Sequence, residues 1–188
     1  FKILPKDQTF EVSYLQEEKK TLLFDKVILS TGSYAGLKQS SNKEIDGYEI
    51  LRQLGHQIQT PYPSLVQLRG AESFYKSISG VRASTKITLL IDHKEISTEE
   101  GELQVTEYGV SGIVIFQLSG LVSKALMENR QVSLRLDFLP SIDNKDYEQF
   151  SKIRLLSQGY KNAEEFFTGF IHKKLLLLFL KLAGLKPE

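Results

Sequence analysis

Between Leu65 and Phe138 apolar side chains recur mainly every second residue, and after Pro140 they recur every third or fourth. That switch of period confines most of the chain to short strands followed by helices. The alternation is cleanest at Val132, Leu134, Leu136 and Phe138, which are separated by Ser133, Arg135 and Asp137. This is the pattern of a strand with one face buried. Leu65 to Leu68, Val81 to Ile91 and Leu103 to Val105 read as further strands, and the set predicts a small barrel or sandwich over about 64–140. Between the last two strands, Ser111 has the hydroxyl and position to cap a helix running from Gly112 through Leu126. Beyond Pro140, Tyr147, Phe150 and Ile153 share a helical face that Gly159 ends. Asn162 with Glu165 opens a second helix that carries Phe166, Phe167, Phe170 and Ile171 and continues to Gly184.

The first third of the chain has a different texture. Phe10, Val12 and Tyr14 alternate with polar residues, the run Gln16 to Lys20 makes a turn, and Leu22 to Phe24 returns. Val27-Ile28-Leu29 is an apolar triplet suited to a core strand covered on both faces, and Thr31-Gly32-Ser33 ends it. Ser41 and Glu44 have capping-box spacing ahead of Ile45, Tyr48, Leu51 and Leu54, a helical stripe stopped by Gly55. Pro61 and Pro63 forbid its continuation. The expected fold class is therefore α+β, with a strand-and-helix region over 1–63 and a second region over 64–188 whose helical part begins near residue 141.

Composition narrows the function classes. Twenty-four basic side chains stand against 23 acidic ones, a formal net charge of +1. No strong field exists to recruit nucleic acid. The absence of cysteine removes disulfides, thiolate nucleophiles and sulfur-ligated metals and fits a cytoplasmic chain. Three scattered histidines point to no metal centre. The apolar run Leu175 to Leu180 is flanked by Lys173, Lys174 and Lys181. It is far shorter than the roughly 20 residues of a membrane span, so a buried helix is expected. The opening Phe1-Lys2-Ile3-Leu4-Pro5 has neither a starting methionine nor a signal-peptide profile, which predicts an internal segment of a longer protein.

Several segments in order resemble one family. Asp25 to Ser33 resembles the apolar strand ending in Ala-Thr-Gly-Gly that returns to the cofactor in FAD enzymes with two nucleotide-binding lobes. It is followed by Asp46-Gly47-Tyr48, Leu54-Gly55-His56, Pro63-Ser64-Leu65-Val66-Gln67-Leu68, Gly80-Val81, Gly101-Glu102-Leu103, Gly109-Val110-Ser111-Gly112 and Phe138-Leu139-Pro140. Together these resemble the BaiN-like, or YhiN-like, FAD-dependent flavoproteins, also described as the aminoacetone oxidase family, over nearly the whole chain. The sequence departs from the family pattern at Ser33, at Gln67 and Ile113 where the family has proline, and at Val105-Thr106-Glu107 in place of Phe-Thr-His.

The resemblance implies part of an FAD-binding α/β lobe over 1–63, interrupted by an insert of a mainly antiparallel β-barrel and a helical bundle over 64–188. It implies FAD in the intact protein, a small organic substrate, and a nicotinamide cofactor, NAD(P), or oxygen as electron partner. FAD binding in such proteins rests on a GxGxxG turn whose amides meet the pyrophosphate. The sequence contains no such turn, so the chain alone is expected to hold no cofactor and to depend on the remainder of the same polypeptide. Thr31, Gly32, Ser33 and Gly47 are the candidate secondary cofactor contacts, and Thr106, Tyr108 and Ser111 the candidate substrate-facing residues. No residue is assigned as catalytic. The alternative expectation is a protein-interaction or small-barrel binding module without redox activity, marked by exposed apolar surface on the final helix.

Overall fold

The computed structural model describes residues 2–15, 17–33 and 47–185. The chain divides into two compact units, residues 1–61 and 62–188.

The first unit is a three-stranded antiparallel sheet, β1 (Lys2–Lys6), β2 (Thr9–Leu15) and β3 (Lys19–Phe24), with one helix, α1 (Gly47–Gln53). Strand β2 is central, with Ile3 opposite Val12 on one side and Phe10 opposite Phe24 on the other. The hairpin of β2 and β3 stands where the alternation places it. Ile3, Val12 and the α1 residue Ile50 form the core, with Phe10, Val27, Leu29 and Leu54 packed around it. The expected core strand at Val27 to Leu29 is not formed: the segment pairs with no strand among the described residues. Val27 and Leu29 turn toward the core, whereas Ile28 is 91% exposed, so one face is covered instead of two. Helix α1 ends as expected at Gly55. The His56 amide donates to the Leu51 carbonyl and the Gly55 amide to the Arg52 carbonyl, the paired bonds of a Schellman stop. The capping box at Ser41 to Glu44, and Tyr34, lie outside the described residues.

The second unit is built on a curled antiparallel sheet, a half-barrel with strand order β4-β7-β6-β5-β8. Its strands are β4 (Leu68–Arg69), β5 (Arg82–Ile91), β6 (Lys94–Thr106), β7 (Gly109–Ser111) and β8 (Val132–Asp137). Asp92 and His93, both at positive φ, form the two-residue turn between β5 and β6. That geometry matches the twist of the flanking strands. Inward residues of alternating strands, Ile87, Leu89, Ile91, Leu103 and Val110, meet helix α2 (Ile113–Met127) through Val114, Ile115, Leu118 and Val122. The mainly antiparallel barrel expected from the alternation is thus present in half-closed form, and β6 runs nine residues further back than Leu103.

Ser111 does not cap α2. It is held in the ladder opposite Gln104, and Gly112, at φ 111°, takes the cap position without a side-chain hydrogen bond. A Cβ at Gly112 would lie 2.5 Å from the Glu102 carbonyl oxygen, so the strand-to-helix corner requires glycine on both counts.

Three helices follow: α3 (Asn144–Gln158), α4 (Ala163–Phe167) and α5 (Lys173–Leu182). Asp143 and Asn162 cap α3 and α4 by accepting the Asp146 and Glu165 amides. The continuous helix expected from Asn162 to Gly184 is broken between Thr168 and His172, where Gly169 adopts φ 83°. Arg154 of α3 holds the break. Its Nε donates to the Phe166 carbonyl at 2.7 Å and its Nη2 to the Thr168 carbonyl at 3.4 Å, while Phe150 stacks on Phe170 at 4.4 Å. A side chain from another helix thereby satisfies carbonyls that a continuing helix would have used. Helix α5 restarts with His172 Nδ1 accepting the Lys174 amide, then packs Leu175 and Leu178 against Ile78, Val81 and Val105. A short 3-10 helix (Ser73–Ile78), not foreseen from the sequence, supplies Ile78 to that contact.

Candidate functional site

In the first unit, Thr31, Gly32 and Ser33 are exposed, and Gly32 has φ 79°. Gly47, the first residue of α1, packs directly on Thr31: a Cβ added there would overlap the Thr31 hydroxyl oxygen. The fold therefore brings Thr31 and Gly47 together, with Gly32 and Ser33 continuing along the same stretch of chain. This is an exposed polar ledge. The space beside Gly47 is filled by Thr31 instead of being left open as a phosphate cradle, so these residues form no amide ring of the kind that meets a pyrophosphate.

The second unit gathers the other candidates. Thr106 ends β6, Tyr108 sits in the turn, and Ser111 ends β7. Val105 pairs with Val110, and both are buried toward the core. Thr106 and Ser111 therefore share the opposite face of the β6–β7 ladder, because side chains alternate across a strand. The Thr106 hydroxyl oxygen is buried and has no hydrogen-bond partner among the described residues. An unmet buried hydroxyl is an expensive feature to retain. The Tyr108 side chain is pinned from two directions: Gln67 Nε2 donates to its hydroxyl, and the Arg69 guanidinium lies 5.2 Å above its ring. The Tyr108 carbonyl also accepts the Gly70 amide at 3.0 Å.

Gln67 and Arg69 are not among the site residues expected from the sequence, although Gln67 stood out there as a departure from the family pattern. Gln67 stands where the resembled family carries proline, and proline has no side-chain donor to offer Tyr108. Tyr75 was missed as well. Burial, reinforced by the charge of Glu72 and a hydrogen bond to it, pushes its phenol up to about 12. The hydroxyl thus remains a donor to the Glu72 carboxylate.

The histidines serve the backbone. His56 donates its amide at the α1 stop, His93 occupies a turn, and His172 caps α5. No cluster of three metal-ligating side chains occurs among the described residues, and none of their helices is long and apolar enough to cross a membrane.

Two comparisons bear on this geometry. Residues 62–188 match the family model described as the HI0933-like protein barrel and H2TH domain. The chain is also 33% identical, over 164 residues, to a 3-dehydro-bile acid delta(4,6)-reductase of Clostridium scindens. That match covers 87% of this chain and 40% of the relative, so the chain spans less than half of the relative's length. Too long to fit within residues 62–188, the match extends into the first unit. With the half-barrel and helices lying where the motif order put them, the chain belongs to the HI0933-like, BaiN-like flavoprotein family.

Proposed function

We propose that the chain is a segment of an FAD-dependent oxidoreductase that walls and shields the flavin and a small organic substrate, and is inactive without the remainder of its polypeptide. The observation that carries this reading is the identity to a reductase across both units, not the barrel alone. FAD, when bound, supplies the electron transfer, and this chain's residues supply position and shelter. Thr31, Gly32, Ser33 and Gly47 form the far wall of the cofactor pocket. Thr106, Tyr108 and Ser111 face the substrate, a role supported by the unmet Thr106 hydroxyl and the two-sided clamp on Tyr108. The relative's name favours reduction of an unsaturated substrate over amine oxidation, with NAD(P)H as the natural hydride source. A cytoplasmic setting agrees with the absence of cysteine. We place the boundary between lobe and insert at residues 63 and 64, with the barrel to about residue 140.

Flavin absorbance tests this reading. The 188-residue chain incubated with FAD and desalted is expected to emerge colourless. A polypeptide extended upstream to include a GxGxxG turn is expected to emerge yellow with one flavin per chain. Stoichiometric retention by the 188 residues, or a colourless extended polypeptide, overturns the proposal.

A second reading, as an interaction module, is favoured by apolar side chains left exposed on α3 and α5. The final helix buries Leu175, Leu176, Leu178 and Leu180. On the same helix Phe179 and Leu182 remain exposed, and on and after α3 Leu156 is 90% and Tyr160 84% exposed. In the flavoprotein reading this surface meets the remainder of the polypeptide.

A further inference from the structure

Helix α3 has two unlike sides. On one, Phe150 stacks on Phe170 and Tyr147 lines an apolar groove. On the other, Ile153 and Leu156 lie three residues apart, Tyr160 follows one turn later just beyond the helix, and all three are exposed. Apolar anchors at i, i+3 and i+7 are the set with which a helix seats itself in an apolar groove.

The groove beside this ridge has a volume of about 420 Å³. Leu136 and Phe138 wall it at the end of β8, Tyr147 and Phe167 from α3 and α4, and Phe179 and the C-cap Ala183 from α5. Asp137 is the one charged residue that lines it; its Oδ1 accepts the Leu139 amide, and it makes no ion pair among the described residues. Lys152, exposed one turn before Leu156, likewise has no ion pair among the described residues. Stripe and groove therefore match twice, apolar against apolar and one lysine against one carboxylate. They do not meet within one chain, because α3 walls the groove with one side and carries the stripe on the other. A second copy related by a two-fold axis brings each stripe to the other's groove, and such a contact closes on itself.

The area suffices for a pair. Ile153, Leu155, Leu156 and Tyr160 leave on the order of 500 Å² of side chain in water. Two stripes and two grooves then bury on the order of 2,000 Å², as much as specific protein pairs need. We propose that two copies of this chain associate about a two-fold axis, each laying the Ile153, Leu156 and Tyr160 stripe in the other's groove between β8 and α5, with Lys152 against the partner's Asp137. The pairing takes from the second reading only that this surface meets protein, and it requires no flavin.

Sedimentation equilibrium of the 188-residue chain tests the pairing. The average mass is expected to rise reversibly from that of one chain to that of two between about 1 and 100 μM, and to stop there. Leu156→Asp on the stripe and Ala183→Glu in the groove, both at exposed positions, are each expected to leave a folded monomer, with circular dichroism checking the fold. Mixed together, the two variants are expected to associate weakly, because their pair keeps one intact stripe facing one intact groove. Lys152→Glu is expected to weaken pairing about tenfold, and the further change Asp137→Lys to recover most of that loss. A chain that stays monomeric to about 100 μM, a dimer that survives either Leu156→Asp or Ala183→Glu, or growth beyond two chains overturns the proposal. Hydrogen exchange separates that failure from failure of the second reading. In a monomeric polypeptide extended upstream, slowed exchange over residues 152–160 assigns the stripe to the remainder of the polypeptide in place of a second copy, and unslowed exchange removes both.

Discussion

Asp92 shows how much a single turn residue carries. Its carboxylate accepts Arg130 Nε at 2.7 Å and the Gln131 amide at 3.0 Å, and its own amide donates to the Gln131 carbonyl. The β5–β6 turn is thereby tied to the start of β8. Those bonds, the Arg130 one foremost, hold the carboxyl below its ordinary 3.8. A depressed folded-state value adds stability above the unfolded value, and that stability drains away as pH falls through the folded one. Asp92→Asn keeps a residue tolerant of positive φ but removes the charge. It is expected to lower the urea midpoint at pH 7, with the gap to the parent closing as pH falls through the folded-state value, below which both side chains are neutral. A gap that persists unchanged in acid removes the electrostatic account. Gly112 makes the complementary case for backbone. With φ at 111° and a carbonyl oxygen 2.5 Å from where a Cβ would sit, Gly112→Ala is expected to cost about 2 to 3 kcal/mol in chemical denaturation. No measurable loss would mean that the corner relaxes freely.

Elements whose side-chain period and terminal residues agree were legible in the sequence. Strand β8, the β2–β3 hairpin, the Gly55 stop and the Asn162 cap stand where pattern and chemistry put them. The misplaced elements share a cause: their geometry is set by residues distant in sequence. Val27 to Leu29 has the composition of a core strand, but a strand also needs a neighbour to pair with. The α4–α5 break is invisible locally because Arg154, from α3, supplies the donors that end α4. The candidate site divides in the same way. Motif order named Thr31, Gly47 and Tyr108 as candidates, whereas the Gln67 and Arg69 clamp depends on β4 lying beside β7. Arg154→Ala is expected to cost about 2 kcal/mol, through unmet carbonyls and the lost cover over Phe150 and Phe166. Hydrogen exchange is expected to quicken over residues 163–182 and to stay unchanged in β5 and β6. Uniform quickening would show that helices and half-barrel open as one.

The two units differ sharply in what each buries. Among the described residues, the second has a core cluster of ten buried residues and a smaller one joining α5 to the half-barrel, while the first has Ile3, Val12 and Ile50. Three such side chains contribute on the order of 5 to 9 kcal/mol by burial. That is a small burial beside the second unit's. Every residue of β3 is exposed, including Leu22, Leu23 and Phe24, which leaves one side of the small sheet without cover. Under the proposed function the remainder of the polypeptide would provide that cover. Residues 62–188 expressed alone are therefore expected to unfold cooperatively, with the denaturation midpoint of the 188-residue chain. Residues 1–61 alone are expected to show a disordered far-ultraviolet spectrum and no protected amides. Within the chain extended upstream, exchange at β2 should slow by orders of magnitude relative to the 188 residues. Protection at β2 that is already complete in the 188-residue chain would mean that the first unit carries its own stability and does not borrow it from the rest of the lobe.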